Sequence, residues 1–297
     1  MDFFVQQTLN AIALGGTYAL LALGLAVVFS IMKLINFAHG ELMTSAGYVL
    51  MYCGLHGVPF ALSVALAILT STVLAVLMER VAFRSVRNAS GATMLITSFA
   101  VATVLQVLFQ NLISSRSQPV LLPNFLSESV TVAGFVIGNN KIVAIVATVV
   151  MLGFLDWFMK YQKHGIAMRA AAEDFAVARL MGIRANTVIA GAFALSGLLA
   201  GVAAVLWVSQ RASVDPLMGF TPVLKAFIAA ILGGLGSLRG AVAGGFMLGF
   251  IEIYLAAFLP PDMQEFRDPI GLGIVVLLLL LRPNGLIPSP GLGAVKA

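Results

Sequence analysis

The stretch KLINFAHGEL, residues 33–42, places a lysine, an asparagine, a histidine and a glutamate between two strongly apolar runs. The run before it is ALGGTYALLALGLAVVFSIM, and the run after it is MTSAGYVLMYCGL. A polar, glycine-containing interruption between two such runs predicts a helix that breaks and restarts. Broken helices at membrane depth are tolerated where protein or a water-filled cavity satisfies the freed backbone groups.

Composition identifies the class of protein to which the chain belongs. Hydrophobic residues make up 60% and charged residues 10% of the chain, whereas a soluble domain carries about 25% charged residues. A membrane-crossing helix needs roughly 20 apolar residues. We therefore predict an all-α, polytopic transmembrane helix bundle that forms a single domain over residues 1–297, with about eight to nine membrane segments. The apolar windows fall at 9–32, 41–55, 59–78, 93–113, 142–159, 187–209, 223–234, 241–259 and 270–282.

Two of these windows, 41–55 and 223–234, are too short to cross the membrane as simple helices. Each lies beside a polar, glycine-containing break: KLINFAHGE precedes the first, and GGLGSLRG follows the second. Paired short or interrupted segments are typical of transporters, in which the breaks line the substrate site. The pattern predicts a transport pathway, although no residue-level repeat relates the two halves.

The basic residues are unequally divided between the two sides of the predicted bundle. By parity, twelve of the 17 lysines and arginines lie on one side, most of them in the loops 79–92 and 160–186. Because cytoplasmic loops carry an excess of lysine and arginine, we expect the N-terminus outside and the C-terminus, with Lys296, in the cytoplasm. The net charge of +5 is thus explained by membrane topology and does not indicate nucleic-acid binding.

Several kinds of chemistry are not supported by the residues. The single cysteine, Cys53, excludes an intrachain disulfide and a cysteine-based metal cluster. The three histidines, His39, His56 and His164, are scattered and do not have the spacing of a zinc site or a catalytic triad. The chain contains no G-x-x-x-x-G-K-[ST] motif for binding ATP. We expect no enzymatic activity, no metal and no cofactor in this chain.

Three G-x-x-x-G pairs lie in the later apolar windows. They are Gly197 with Gly201, Gly240 with Gly244, and Gly245 with Gly249. Such pairs put two positions without side chains on one helix face, so that another helix approaches closely. Packing between helices of the same chain is the expected use, and a contact between two copies of the chain is the alternative.

Glu252 is an acid well inside an apolar window, where an ionised side chain costs roughly 3 kcal/mol or more. Two interpretations stay open: Glu252 belongs to a polar path for substrate or protons, or it is hydrogen-bonded to a neighbouring helix and holds the bundle together. Loop 160–186 is alanine-rich until Gly182, which predicts one short helix or two. Its apolar residues, interleaved with charges, favour docking on another protein over a purely solvated loop.

Three long stretches resemble the inner-membrane permease subunits of bacterial branched-chain amino acid ABC importers. They are GGTYALLALGLAVVFSIMKLINFAHGEL, GIAMRAAAEDFAVARLMGIRANTVIA and LKAFIAAILGGLGSLRGAVAGGFMLGFIE, with RPNGL closing the last window. The resemblance spans about residues 8 to 288, and it is specific in the combination of the N-F-A-H-G-E and G-x-A-x-R-A-x-A-E-D stretches. It implies a permease that moves leucine, isoleucine or valine into the cytoplasm.

The resemblance also implies partners and site residues. The resemblance implies that the chain works with three kinds of partner: a second homologous permease, two cytoplasmic ATPase subunits that bind the ATP, and a periplasmic substrate-binding protein. It places the ATPase-coupling loop at about 160–186, with the contact residues Ala172, Glu173, Asp174 and Gly182. The sequence here departs from the general Glu-Ala-Ala-x-x-x-Gly coupling signature.

The candidate translocation path or gate combines Asn36, His39, Glu41 and Glu252. For the first three, capping of helix ends is the competing interpretation. Arg211, near the predicted outer mouth, is the candidate contact for a substrate carboxylate or for an acidic patch on the binding protein. Related permeases carry urea, short amides or aromatic acids. A gradient-driven secondary transporter, with Glu252 as its proton or ion site, is the alternative from another class.

Overall fold

The computed structural model describes residues 2–132 and 135–287, so Lys296 lies outside the described residues. Each of the nine predicted apolar windows forms a helix, which confirms the all-α membrane fold. The helices are α1 (Asp2–Met32), α2 (His39–Leu55), α3 (Phe60–Met78), α4 (Arg84–Val86), α5 (Gly91–Leu112), α6 (Asn124–Ser127), α7 (Asn139–Tyr161), α8 (Lys163–Glu173), α9 (Phe175–Leu180), α10 (Ala185–Arg211), α11 (Phe220–Gly233), α12 (Leu238–Phe258) and α13 (Arg267–Leu281).

Short non-α elements connect some of these helices. A π-helical turn, Glu79–Phe83, joins α3 to α4, and a 3-10 turn, Pro261–Phe266, precedes α13. Two small antiparallel sheets lie between helices: β1 (Gln118–Pro119) pairs with β4 (Ser213–Val214), and β2 (Ser129–Val132) pairs with β3 (Phe135–Gly138).

Among the described residues, six helical segments are long and apolar enough to cross a membrane. The helices α2 and α11, with 17 and 14 residues, are shorter, as predicted from their windows. The helix α1 lies at the centre of the bundle, where it packs against α12, α10, α11 and α7, while α10 packs against α3 and α2. The core is therefore built around α1, α2 and α10, which are buried over most of their length.

All three glycine pairs mediate helix packing inside the chain, which confirms the first of the two interpretations. The pair Gly197 and Gly201 lies against α3, and Gly240 with Gly244 lies against α11. The third pair is in the middle of α12 and meets backbone atoms of α1. Close approach of α12 to both α1 and α11 thus depends on glycine.

The contacts define two ends of the bundle. At the N-terminal end, where α1 begins, Gln6 donates a hydrogen bond to the carbonyl of Val136 in β3, 2.9 Å away. At the opposite end, which we call the basic end, Lys33, Arg169 and Arg239 line the same cavity. Three of the basic residues grouped by sequence parity therefore lie together in space.

Both predicted breaks are present. The first helix ends at Met32, and Lys33 follows in the left-handed region with a φ of 54°. The second break separates α11 from α12 and contains Gly234 and Gly236, whose φ values are 109° and 84°. Such backbone favours glycine because it has no Cβ.

The second break is completed by the end of the described chain. At the end of α11 the carbonyls of Leu232 and Gly233 have no partner within the helix. The backbone N–H groups of Leu286 and Ile287, which follow α13, donate to these two carbonyls at 2.9 and 3.0 Å. Residues 286 and 287 thus complete the end of α11, although two further helices, α12 and α13, lie between them in sequence.

Candidate translocation site

The first break is held in place from α5 and by its own side chains. The buried Asn36 accepts a hydrogen bond through Oδ1 from the backbone N–H of Ala38, at 3.1 Å. The hydroxyl of Ser98 in α5 lies 3.4 Å from the N–H of Phe37, and it also reaches the carbonyl of Ile35. Asn36 therefore satisfies a backbone donor just before α2.

His39 lies in the first turn of α2 and is fully buried between two long helices. Its Nδ1 is 3.0 Å from the hydroxyl of Ser196 in α10. On the other side it lies against Gly24 of α1, where an added Cβ would come within 2.6 Å of the imidazole Cε1. The ring thus fills a space that exists because position 24 has no side chain.

Glu41 and Thr44, near the start of α2, connect this helix to α5 and α11. The Oε1 atom of the buried Glu41 accepts a hydrogen bond of 2.8 Å from Gln106 in α5. The Thr44 hydroxyl accepts one of 3.1 Å from the N–H of Gly219, at the start of α11. Gly40 meets Gly219 backbone to backbone, so a Cβ on either would clash. The start of α2 is thus joined to α5, α10 and α11.

We expect His39→Ala to lower the stability of the bundle by about 2 to 4 kcal/mol, as for other large buried side chains truncated to alanine. The substitution leaves the Ser196 hydroxyl without this partner and opens a cavity at the meeting of α1, α2 and α10. The measurement is the thermal unfolding midpoint of the detergent-purified protein. His56→Ala is the matched control, because His56 is exposed just after α2. Equal midpoints for the two variants would contradict this role of His39.

Glu252 is not isolated in the membrane region. Its Oε1 atom is 2.6 Å from Nζ of Lys225 in α11, and its Oε2 atom accepts a hydrogen bond of 2.8 Å from the Tyr18 hydroxyl of α1. Arg267 approaches the same carboxylate at 3.7 Å, and Asp268 lies 3.6 Å from Lys225. We call these five residues the ion cluster. It joins α1, α11, α12 and α13, and it borders a cavity of about 190 Å³.

Arg211 is the last residue of α10 and lies at the N-terminal end of the bundle. Its guanidinium stacks on the indole of Trp207, with its carbon 4.1 Å from the ring centroid. Trp207 in turn lies beside Tyr18, with ring centroids 6.3 Å apart. The exposed Arg211 thus contacts Trp207, and Trp207 contacts Tyr18 of the ion cluster.

Loop 160–186 forms two helices, α8 and α9, within the range predicted from its composition. Asp174 caps α9, since its Oδ1 accepts hydrogen bonds from the N–H groups of Ala176 and Val177 at 2.9 and 3.0 Å. Gly182, with a φ of 84°, follows the end of α9. Ala172 and Glu173 border a cavity at the basic end. The four predicted coupling residues thus lie in one short helical corner.

Some side chains that contact these residues were not singled out from the sequence. They are Tyr18 and Lys225 in the ion cluster, and Gln106 and Ser196 beside the first break. Gln106 gave a signal, because an amide inside an apolar window needs a partner. Serine gives no such signal, since small residues are common where membrane helices meet. Tyrosine gives none either, since it is common near membrane surfaces.

Comparison with known proteins gives consistent results over almost the whole chain. Residues 7–281 match the family model for the branched-chain amino acid transport system / permease component. The high-affinity branched-chain amino acid transport system permease protein BraD of Pseudomonas aeruginosa is 35% identical, over 97% of this chain and 96% of its own. LivH of Escherichia coli K12, which has the same descriptive name, is 34% identical over 97% and 96%.

Two further proteins align over most of the chain at lower sequence identity. A probable branched-chain amino acid transport permease protein LivH of Methanocaldococcus jannaschii is 29% identical over 93% of this chain. In a solved structure described as PsaBC from Streptococcus pneumoniae in complex with Fab, a chain aligns with a TM-score of 0.50 and 13% identity, covering 93% of this chain and 91% of that one. That likeness concerns the fold alone. The fold, the match over residues 7–281 and the two relatives above 30% identity show that the chain belongs to the permease-component family of branched-chain amino acid transport systems.

Proposed function

We propose that this chain is the membrane permease subunit of an ABC importer that carries branched-chain amino acids into the cytoplasm. The observation that carries the proposal is the family match over residues 7–281, together with relatives whose names specify high-affinity branched-chain amino acid transport. In this proposal the energy comes from ATP hydrolysed on separate subunits, which the permease family supports; the sequence itself has no P-loop motif. A permease of the same family for urea, short amides or aromatic acids is the closest alternative.

The proposed partners are a second homologous permease, two ATPase subunits and a periplasmic binding protein. Support for the ATPase contact comes from Val177 and Leu180 of α9 and from Met181, which follows it: all three are apolar and exposed, Leu180 to 86%. The positive-inside rule puts the basic end in the cytoplasm and the N-terminus outside. Under that orientation α9 faces the compartment in which ATP is hydrolysed, and Arg211 faces the one in which the binding protein docks.

A packed route leads from α8, next to the proposed ATPase contact, to the first break. Met168 of α8 lies against Gly191 of α10, where an added Cβ would come within 2.7 Å of the methionine Cε. One and a half turns further along α10, Ser196 contacts His39. We propose that ATP binding moves α8 and α9, that α10 transmits the movement, and that the short helices α2 and α11, which abut at Gly40 and Gly219, open or close the path.

The function is tested by uptake of labelled leucine into cells that lack other branched-chain importers and express this chain with its partner subunits. We expect uptake to stop on ATP depletion and to survive collapse of the proton gradient. Met181→Asp is expected to weaken ATPase association by roughly 30-fold and to abolish uptake, because a buried apolar contact at an interface contributes about 2 kcal/mol. The fold itself is spared, since Met181 is 79% exposed.

Met263→Asp is the matched control for this variant. Met263 is also exposed, at 46%, but it lies in the 3-10 turn before α13, at the N-terminal end. It should keep both ATPase association and uptake. Uptake that stops when the proton gradient collapses and continues after ATP depletion would instead favour the gradient-driven transporter with Glu252 as its ion site.

A further inference from the structure

Two cavities open side by side at the basic end of the bundle, between α1, α7, α8 and α12. Their volumes are about 380 and 350 Å³, in the range of sites that bind small organic molecules. They share four lining residues: Met159, Arg169, Leu238 and Arg239. We refer to the pair as the basic groove.

The groove carries more cations than its acids neutralise. Besides Arg169 and Arg239 it is lined by Lys33 and Lys160, against two acids, Asp156 and Glu173. Asp156 is already paired with Lys160 at 2.6 Å. Within the described part of the chain neither arginine forms a salt bridge. Two guanidinium groups therefore line the same groove, and neither forms a side-chain hydrogen bond or a salt bridge with any other described residue.

The wall of the groove that is further from the basic end is apolar and lies in the membrane-spanning part of the bundle. It is formed by Leu23 of α1, Leu152 and Leu155 of α7, and Val242 of α12. The first turn of α12 adds to the positive rim above this wall, since Ser237 caps the helix and its N-terminus opens towards the larger cavity. A ligand that fits both parts has an anionic head and a hydrocarbon tail.

The level of the groove matches a membrane surface. On a neighbouring face of α7, Trp157 is 48% exposed and Tyr161 is 71% exposed, one turn apart. Exposed tryptophan and tyrosine at a helix end are typical of the boundary between headgroups and hydrocarbon. Lys160 lies between them in sequence, so the cationic rim is at the height of lipid phosphates.

We propose that the basic groove binds an anionic phospholipid of the leaflet at this end. The phosphodiester lies between Arg169 and Arg239, whose planar guanidinium groups suit phosphate oxygens, and the acyl chains run along Leu23, Leu152 and Val242. Basic pockets between membrane helices bind anionic headgroups in this manner. A soluble phosphate would use the arginines but leave the apolar wall empty, which is why the lipid fits better.

The test is native mass spectrometry of the detergent-purified protein, titrated with dioleoylphosphatidylglycerol. We expect a saturable lipid adduct that dioleoylphosphatidylcholine does not reproduce. The double variant Arg169→Gln, Arg239→Gln should bind phosphatidylglycerol about 30-fold more weakly, since each cation near anionic lipid contributes roughly a factor of five. Both side chains are exposed, so the variant should remain folded.

The control removes the same charge at the same end of the bundle. Arg80→Gln with Arg84→Gln changes two exposed arginines that do not line the groove, and it should alter binding less than twofold. Equal losses in the two double variants would overturn the proposal, because binding would then reflect general charge. Glycerol 3-phosphate is the headgroup without acyl chains. If it competes as strongly as the lipid, the ligand is a soluble phosphate and the lipid assignment fails.

Discussion

Gly245→Leu is expected to stop the bundle from assembling. A Cβ at Gly245 would lie 2.4 Å from both the Cα and the N atom of Ala19. One turn away, a Cβ at Gly249 would lie 2.4 Å from the Cα and 2.5 Å from the N atom of Gly15. These neighbours are backbone atoms of α1, which cannot rotate aside as a flexible side chain does. Because α1 is the centre of the fold, α12 would have to move outwards by the width of a side chain and lose its packing along α1.

The measurement is the yield and the size-exclusion profile of the protein extracted in mild detergent. Gly273→Leu is the matched control: the same change is made in the adjacent helix α13, where an added Cβ meets no neighbouring atom of the described residues within 4 Å. We expect a monodisperse peak for Gly273→Leu and an aggregated or absent one for Gly245→Leu. Similar profiles for the two variants would show that α12 does not need to approach α1 this closely.

The second large effect is expected at the ion cluster. Lys225→Met should cost up to about 3 kcal/mol, the lower end of the loss when one partner of a buried ion pair is removed, because Lys225 and Glu252 are partly buried. The variant leaves the carboxylate of Glu252 with Arg267 at 3.7 Å and the Tyr18 hydroxyl, and it removes the contact of 2.6 Å. The thermal unfolding midpoint in detergent measures the loss.

A second variant separates the two roles considered for Glu252. Lys225→Met combined with Glu252→Gln removes both charges of the pair, so we expect it to recover much of the stability that the single change loses. If leucine uptake recovers together with stability, the cluster serves to join the helices. If stability returns while uptake stays lost, Glu252 takes part in the path. No recovery of either would mean that Lys225 acts independently of Glu252.

The helices were predictable because the signal for each is local. A window of apolar residues has to be helical in a membrane, since no water is present to satisfy its backbone. The short helices α2 and α11 and their glycine-containing breaks follow from the same reasoning. The short helices α8 and α9 were also predictable, because the residues that delimit α9 are close to it in sequence. Asp174 caps its start, and Gly182 follows its end.

The contacts of the candidate site were less predictable, because they join distant parts of the sequence. His39 meets Ser196 across 157 positions, and Lys225 reaches Glu252 from another helix. Apolar periodicity cannot say which helix faces which, since inside a membrane nearly every face is apolar. The sequence therefore showed that Glu252 needs a partner, but only the structure identifies that partner as Lys225.

The hydrogen bonds between residues 286–287 and the end of α11 have a consequence for biogenesis. The carbonyls of Leu232 and Gly233 are satisfied by residues 286 and 287, which leave the ribosome more than fifty positions after α11. Until then the open end of α11 has to be covered by water or by the insertion machinery. The end of α11 is therefore completed late in synthesis, and a nascent chain that stops before residue 286 lacks the two donors.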